Sequence, residues 1–239
     1  MARSLQPYPP VPAWKRTLDL SCLVVTLPGW LLVGLCVALV VRVSSRGPVF
    51  FRQKRIGYLG RPFWCLKFRT MKSDADTSVH QEHLARLITS GTPMTKLDKS
   101  GDCRLIPGGL VLRSLGLDEL PQLLNILKGE MSLVGPRPCL PYEYEKYSSK
   151  HRRRCEAVPG LTGLWQVSGK NKTTFEEMVN LDVHYAQKKS LALDLKILFR
   201  TLPAVVDQVL DVKRGTPLPA RNLSLSAANV ARSSAPVLK

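Results

Sequence analysis

From Leu20 to Val41 the chain carries no charged residue, and the stretch is rich in Leu and Val. That length of uncharged chain can cross a bilayer as a helix. A buried core helix seldom stays free of charge for so long. A cleaved leader would have Lys15 and Arg16 as its basic region, but the apolar run is too long for one and no small-residue cleavage site closes it. Pro28 and Gly29 interrupt the run. Proline removes a backbone donor and clashes with the preceding turn, so the helix is expected to bend or break there. Lys15 and Arg16 precede the segment and Arg42 and Arg46 follow it. Basic flanks stay on the cytoplasmic side; a straight span puts one of them outside, whereas a hairpin that returns keeps both inside. The sequence therefore favours a re-entrant helix–break–helix anchor over residues 15–46.

The remainder of the 239-residue chain is long enough for one compact domain, and 44% hydrophobic residues can build its core. The formal net charge of +17 calls for an anionic partner. Nucleic acid, an anionic membrane surface and phosphorylated substrates all satisfy it. Six cysteines are scattered with no C-x-x-C pair, two of them inside the apolar segment. They read as reduced packing thiols rather than a disulfide framework. His80 and His83 stand three apart on an expected helix without partner ligands, which suits a solvated face better than a metal site.

Between Arg42 and Lys72 there are nine Lys or Arg and no acid. Two β-like runs, Pro48 to Arg55 and Phe63 to Met71, flank turn residues Gly57 to Pro62 and predict a β-hairpin. Period-two alternation puts Lys67 and Arg69 on one face of it. Asp74 to Ile88 reads as a helix and Gly91 to Gly109 as a polar loop. Leu117, Leu120, Leu124 and Leu127 follow helical spacing. Pro121 belongs in a first turn, so that helix should start near Asp118 and end at Gly129. Met131 to Pro138 reads as a rigid extended loop ending in Arg137, Tyr142 to Val158 as a polar helix, and Pro159 to Trp165 as a turn-rich connector. Thr174 and Glu177 have capping-box spacing for a helix through Lys189. Leu191 to Leu210 is a more apolar helix, broken near Pro203, with Asp194, Lys196 and Arg200 interspersed; a position at the membrane surface and one in the core both fit it. Residues 211–239 are rich in Ser, Ala, Pro and Arg and read as a disordered tail. The fold class is α+β: a re-entrant membrane helix, a small β-hairpin and several helices, amphipathic interfacial ones included. The expected organisation is an N-terminal tail 1–14, an anchor 15–46, a cytoplasmic catalytic domain 47–210 and the tail.

Asp118 and Glu119 stand at the focus. An Asp at a helix start is commonly a cap and nothing more. Here Arg113 and Arg137 flank the helix in sequence and the basic hairpin precedes it. A helix N-terminus also favours bound phosphate. A carboxylate so placed can attack phosphorus to form an acyl phosphate, with the surrounding positive charge keeping it ionised and neutralising the leaving nucleotide. Glu119 points about 100 degrees around the helix from Asp118. It suits Mg²⁺, which takes one or two carboxylates plus substrate oxygens.

At these residues the chain resembles the monotopic phosphoglycosyl transferases, or bacterial sugar transferases, which start exopolysaccharide, O-antigen and glycoprotein glycan assembly. The resemblance rests on Lys15–Asp19, Gly47–Gln53, Lys67–Met71, Leu117–Gln122, Lys128–Pro138, Pro159–Gln166 and Leu193–Ile197, in the family's order and across most of the chain. It implies a ping-pong transfer of a hexose-1-phosphate from a UDP-sugar to a polyprenol phosphate such as undecaprenyl phosphate. It implies Asp118 as nucleophile and Glu119 as Mg²⁺ ligand, with Lys67, Arg69, Arg113, Arg137, Lys170 and Asp194 around the substrate. Lys170 stands where family members often carry Arg, and Leu27 stands where the family usually has Ser before the anchor's proline. The implied location is the cytoplasmic face of the bacterial inner membrane, with the phospholipid bilayer as a partner, no nucleic acid, and a homodimer left open.

Two rivals remain at this stage. A membrane-tethered nucleic-acid binder would use the basic hairpin and its aromatics Phe50, Phe51, Phe63, Trp64 and Phe68 for stacking, against which Asp118 and Glu119 would repel a phosphate backbone. A non-catalytic scaffold for polysaccharide assembly would tolerate the loss of Asp118.

Overall fold

The computed structural model describes residues 11–72, 92–93, 104–169 and 173–214. The apolar segment forms a single helix, α1 (Ala13–Ser44), with Pro28 inside it. The proline does not end the helix. One missing N–H is a local loss, and the preceding turn is reinforced by the indole N–H of Trp30, which donates to the Leu23 carbonyl at 3.3 Å. Both ends of α1 pack on the same body of protein. Lys15, Asp19 and Leu23, four residues apart, are buried on one face, and Val37 and Val41 are buried near the other end. Leu23 joins Phe63, Cys65, Leu123 and Met131. Val37 and Val41 join Phe68, Ile106 and Leu112. Between the two contacts Val25 and Leu32 are 80% and 65% exposed, so an apolar stretch is left without protein cover.

The hairpin is as the sequence predicts, β1 (Phe50–Ile56) against β2 (Pro62–Phe68), antiparallel with Arg52 opposite Leu66 and Lys54 opposite Trp64. A 3-10 turn Tyr58–Gly60 joins the strands. Gly60 has φ 75°, a left-handed conformation that requires glycine, and the Tyr144 hydroxyl lies against it. The far edge of β2 is closed by one side chain. Asn125 accepts from the Leu66 N–H at 3.1 Å and donates to the Trp64 carbonyl at 2.8 Å.

Residues Gly109–Ser114, whose first member ends the expected loop, form a short helix, α2; Leu110, Val111 and Leu112 supply too short an apolar run to reveal it. The next helix, α3 (Gln122–Lys128), begins later than expected: Asp118 sits in a preceding 3-10 turn, Leu117–Glu119, with Pro121 as the N-cap. Proline fits the cap because it has no N–H to leave unpaired. Gly129 ends α3 at φ 79° as predicted. Arg16 of α1 donates to the Leu127 carbonyl at 2.6 Å and to that of Ile126, capping the last turn of α3 with a cation.

Within Met131–Pro138 lies β3 (Ser132–Val134), paired in parallel with β4 (Gly160–Thr162) from the expected connector. Such three-residue strands fall below what alternation can show. A Cβ on Gly135 would approach the Val158 carbonyl oxygen to 2.2 Å, so glycine is needed where the two segments touch. The predicted helix Tyr142–Val158 is instead α4 (Pro141–Glu145), α5 (Ser149–Arg152) and a 3-10 turn, Arg153–Glu156. Ser148, with its hydroxyl accepting from the His151 N–H, starts a new helix rather than continuing the old one. After α6 (Leu164–Val167), the Thr174 capping box opens α7 (Phe175–Lys188). Then α8 (Leu191–Arg214) runs through Pro203 without a break and past the expected boundary at Leu210. Its solvent side carries Leu195, Phe199, Leu202 and Val206, 38–76% exposed and three or four residues apart. The predicted helix Asp74–Ile88 with His80 and His83, and the tail from 215, lie outside the described residues.

Candidate active site

Lys67, on the next-to-last position of β2, reaches across to the 3-10 turn. Its ammonium lies 2.7 Å from Glu119 Oε1 and 3.9 Å from Asp118 Oδ2. Asp118 is the more enclosed carboxylate, its side chain 11% exposed against 35% for Glu119. The strand and the turn cannot slide relative to each other, because Asn125 of α3 grips the β2 backbone on either side of Cys65 and also donates to Glu130 at 2.7 Å. One buried side chain thereby sets the register between the lysine and the carboxylates.

Cys65 lies beneath this cluster. Burial pushes its thiol above the ordinary range, and the charges acting on it are, in order, Lys67, Arg55, Glu119 and Arg137. Lys67, Glu119 and Arg137 thus all act on this one buried thiol. Arg137 lines a shallow depression with Gly57, Pro136, Pro138, Arg154 and Pro159. Arg55 is 6% exposed, donating to the Pro138 carbonyl at 2.9 Å and to Gln53. Burial, and after it the neighbouring Arg137 charge, lower its affinity for its proton. Two guanidinium groups held close favour an anion between or beside them. Arg113 stands in the last turn of α2, five residues ahead of Asp118.

Other sequence-stated site residues go elsewhere. Arg69 lies just beyond β2 and is 5% exposed; it donates to the carbonyls of Ser45 and Arg46 at 2.8 and 2.6 Å, closing the end of α1. It therefore does not share an open face with Lys67, since the strand ends at Phe68 and its alternation stops there. Asp194, 0% exposed, meets Lys15 at 2.5 Å and accepts from the Tyr185 hydroxyl at 2.7 Å, so the structure does not bring it into the Lys67–Asp118–Glu119 cluster. Lys170 lies outside the described residues. Sequence reasoning passed over Asn125, Arg55, Arg154 and Asp182. Asn125 carried a signal, being an amide between Leu124 and Ile126 in an apolar helix, where a buried amide demands partners; the other three carried none beyond their charge.

Two neighbouring carboxylates supply the hard oxygen donors that Mg²⁺ prefers, and so fit it without a third protein ligand. Among the described residues no cluster of three or more His, Cys, Asp or Glu is present. With an enclosed carboxylate and an ammonium spanning it and its neighbour, the site is equipped to bind a polyanion and to present it with an oxygen nucleophile.

Comparison with known proteins adds independent evidence. The profile of the family described as bacterial sugar transferase matches residues 11–208. The exopolysaccharide production protein ExoY of Sinorhizobium fredii is 42% identical over 191 residues, covering 80% of this chain and 84% of that protein. The UDP-glucose:undecaprenyl-phosphate glucose-1-phosphate transferase of Caulobacter vibrioides is 38% identical over 200 residues, 80% of this chain and 69% of that one. The undecaprenyl-phosphate galactose phosphotransferase of Salmonella typhimurium is 37% identical over 199 residues, 80% of this chain and 40% of that longer one.

Proposed function

The chain belongs to the bacterial sugar transferase family and is a transferase, and from that premise we propose that it moves a hexose-1-phosphate from a UDP-sugar to undecaprenyl phosphate, through a covalent intermediate on Asp118, at the start of exopolysaccharide or glycan assembly. A carboxylate oxygen of Asp118 attacks the sugar-bearing phosphorus. The bond from that phosphorus to the bridging oxygen breaks, and UMP leaves with the electron pair. The resulting acyl phosphate is attacked by a phosphate oxygen of the lipid, which takes the phosphosugar and returns the carboxylate.

The observation that carries this reading is the single ammonium of Lys67 facing both acidic side chains. It holds Asp118 toward the side from which a diphosphate must approach and offsets the like charges of the pair and the substrate. Arg137 and Arg113 bind phosphate oxygens, and Lys170 is assigned to the substrate by the family resemblance alone. Arg69 and Asp194 act at a distance, by fixing α1. Glu119, the more open carboxylate, would hold Mg²⁺, which when bound neutralises charge on the diphosphate.

The membrane reading draws support from α1. Its two ends pack on one domain while the apolar stretch between them is uncovered, as a helix that enters and leaves by the same cytoplasmic face requires. The apolar stripe on α8 suits a helix lying at that face. The anchor is then 15–46 and the catalytic domain extends from 47 through α8.

The test is mass spectrometry of the detergent-solubilised protein incubated with UDP-glucose or UDP-galactose and Mg²⁺, without lipid acceptor. UMP release and a phosphosugar adduct on the peptide containing Asp118 are expected, and neither in Asp118→Asn. Turnover by Asp118→Asn at the wild-type rate would overturn the nucleophile assignment.

A further inference from the structure

The backbone that carries Arg137 is held at each residue from Gly135 to Cys139. The Gly135 N–H donates to Thr162, the Pro136 carbonyl accepts from Gly160, and the Cys139 carbonyl accepts from Ile56, at 2.8–2.9 Å. The Pro138 carbonyl takes Arg55. The Arg137 peptide itself is gripped by charge. Arg154 Nη2 donates to its carbonyl at 3.1 Å and also meets Asp182. Arg154 Nη1 donates to the Tyr147 hydroxyl at 2.9 Å. Yet the Arg137 guanidinium makes no hydrogen bond or ion pair among the described residues. A backbone fixed at every residue around an uncommitted cation is an arrangement for presenting that cation.

The Arg154 and Asp182 side chains are 2% and 1% exposed. A buried ion pair is a weak device for stability, and apolar residues of similar volume often replace one without loss. Orientation is a different matter. A guanidinium recognises phosphate through a planar fork, so the direction in which its stem leaves the backbone decides whether two bonds form or one. We propose that the Arg154–Asp182 pair is a positioning device that holds the Arg137 peptide by its C=O, with Asp182 fixing Arg154, so that the Arg137 guanidinium meets the donor diphosphate already aimed. This rests on the reading of Arg137 as a donor ligand given above. Arg154 and Asp182 touch no substrate; they act through Arg137.

The test is a double-mutant cycle on the full-length protein in detergent, read as initial rates of UMP release from UDP-glucose or UDP-galactose, with thermal unfolding measured in parallel. The paired substitution R154M/D182L removes both charges and leaves no uncompensated one. It should unfold at or above the wild-type temperature while its kcat/KM for the donor falls roughly 10- to 100-fold, the scale of a displaced binding group, with the rise in KM larger than the fall in kcat. In an R137A background the same pair should produce no further loss. R154K keeps the charge beside Asp182, but its shorter stem and single nitrogen cannot reproduce the planar fork that reaches Asp182, the Arg137 carbonyl and the Tyr147 hydroxyl together, and it should show the same rise in KM; it carries the test should R154M/D182L fail to fold. An undiminished loss on top of R137A, or wild-type kinetics in a folded R154M/D182L, overturns the proposal. Wild-type donor kinetics in R137A itself would remove Arg137 from the donor site, and the clamp's purpose with it, while the adduct on Asp118 would still stand.

Discussion

The Lys15 ammonium and the Asp194 carboxylate, far apart in sequence, meet at 2.5 Å with side chains 2% and 0% exposed. Lys15 also donates to the Val134 carbonyl at 2.7 Å and to the Tyr185 hydroxyl at 2.9 Å. The contact ties the first turn of α1 to β3, α7 and α8 at one point. Removing one partner strands the other charge in the interior, at a cost of about 3–5 kcal/mol. Asp194→Asn and Lys15→Met should each lower the unfolding temperature in detergent by several degrees. An unchanged unfolding temperature would show that the pair is not buried as described.

Asn125 makes a different kind of link. Asn125→Leu keeps the volume but leaves the Leu66 N–H and the Trp64 carbonyl without partners, each costing about 1–3 kcal/mol if it stays buried. Since these bonds fix Lys67 relative to Asp118, the variant should lose UMP-release activity beyond what its lowered stability explains. Rates measured well below its unfolding temperature check this; wild-type rates there would show that the register does not depend on the amide.

Asp182 gives a pH signature. Burial pushes its carboxyl up to about 6, against the pull of Arg154. The ordinary unfolded value is about 3.9, so between those values the folded state binds the proton more tightly. The group's contribution to stability is fully present below about pH 4 and is lost as pH rises through 6. By linkage the full difference is about 3 kcal/mol. Denaturant titrations from pH 4 to 7 should therefore show a decline across that window in the wild type relative to Asp182→Asn. Parallel curves for the two proteins would rule it out.

Topology is open to direct measurement. Single cysteines placed at Pro12 and at Ser45, in an otherwise cysteine-free chain, should both react with an impermeant maleimide only after the cytoplasmic face is opened. Labelling of the Pro12 site in intact cells would instead favour a straight span and remove the re-entrant anchor from the proposed function.

What the sequence made legible was what is local and periodic. The hairpin followed from two β-like runs around Gly57–Pro62, the start of α7 from the Thr174–Glu177 pair, and the end of α3 from Gly129. The pairing of Asp118 with Lys67 was foreshadowed only by motif resemblance, because the residues meet through a strand and a turn that only the fold brings together. Neither proline breaks its helix: Pro203, where a break was expected, and Pro28, where a bend or break was, both lie inside continuous helices, since a missing donor is tolerated where the rest of the helix is secured. The short parallel strands β3 and β4 were invisible because three residues cannot display a period. The buried partners of Lys15 could not be read at all, because a charge in an interior is identified by what surrounds it, and its surroundings come from three distant elements.

The way α1 is built into its neighbours changes what the anchor is. Leu23 and Val41 belong to the same apolar clusters as residues of the hairpin, of α2 and of α3, while Arg16 caps α3 and Asp19 takes hydrogen bonds from Ser132 and Leu133. A chain trimmed to begin after Ser44 would not be a water-soluble version of this enzyme; it would be a domain with its keel removed, open along the seam where the helix had lain.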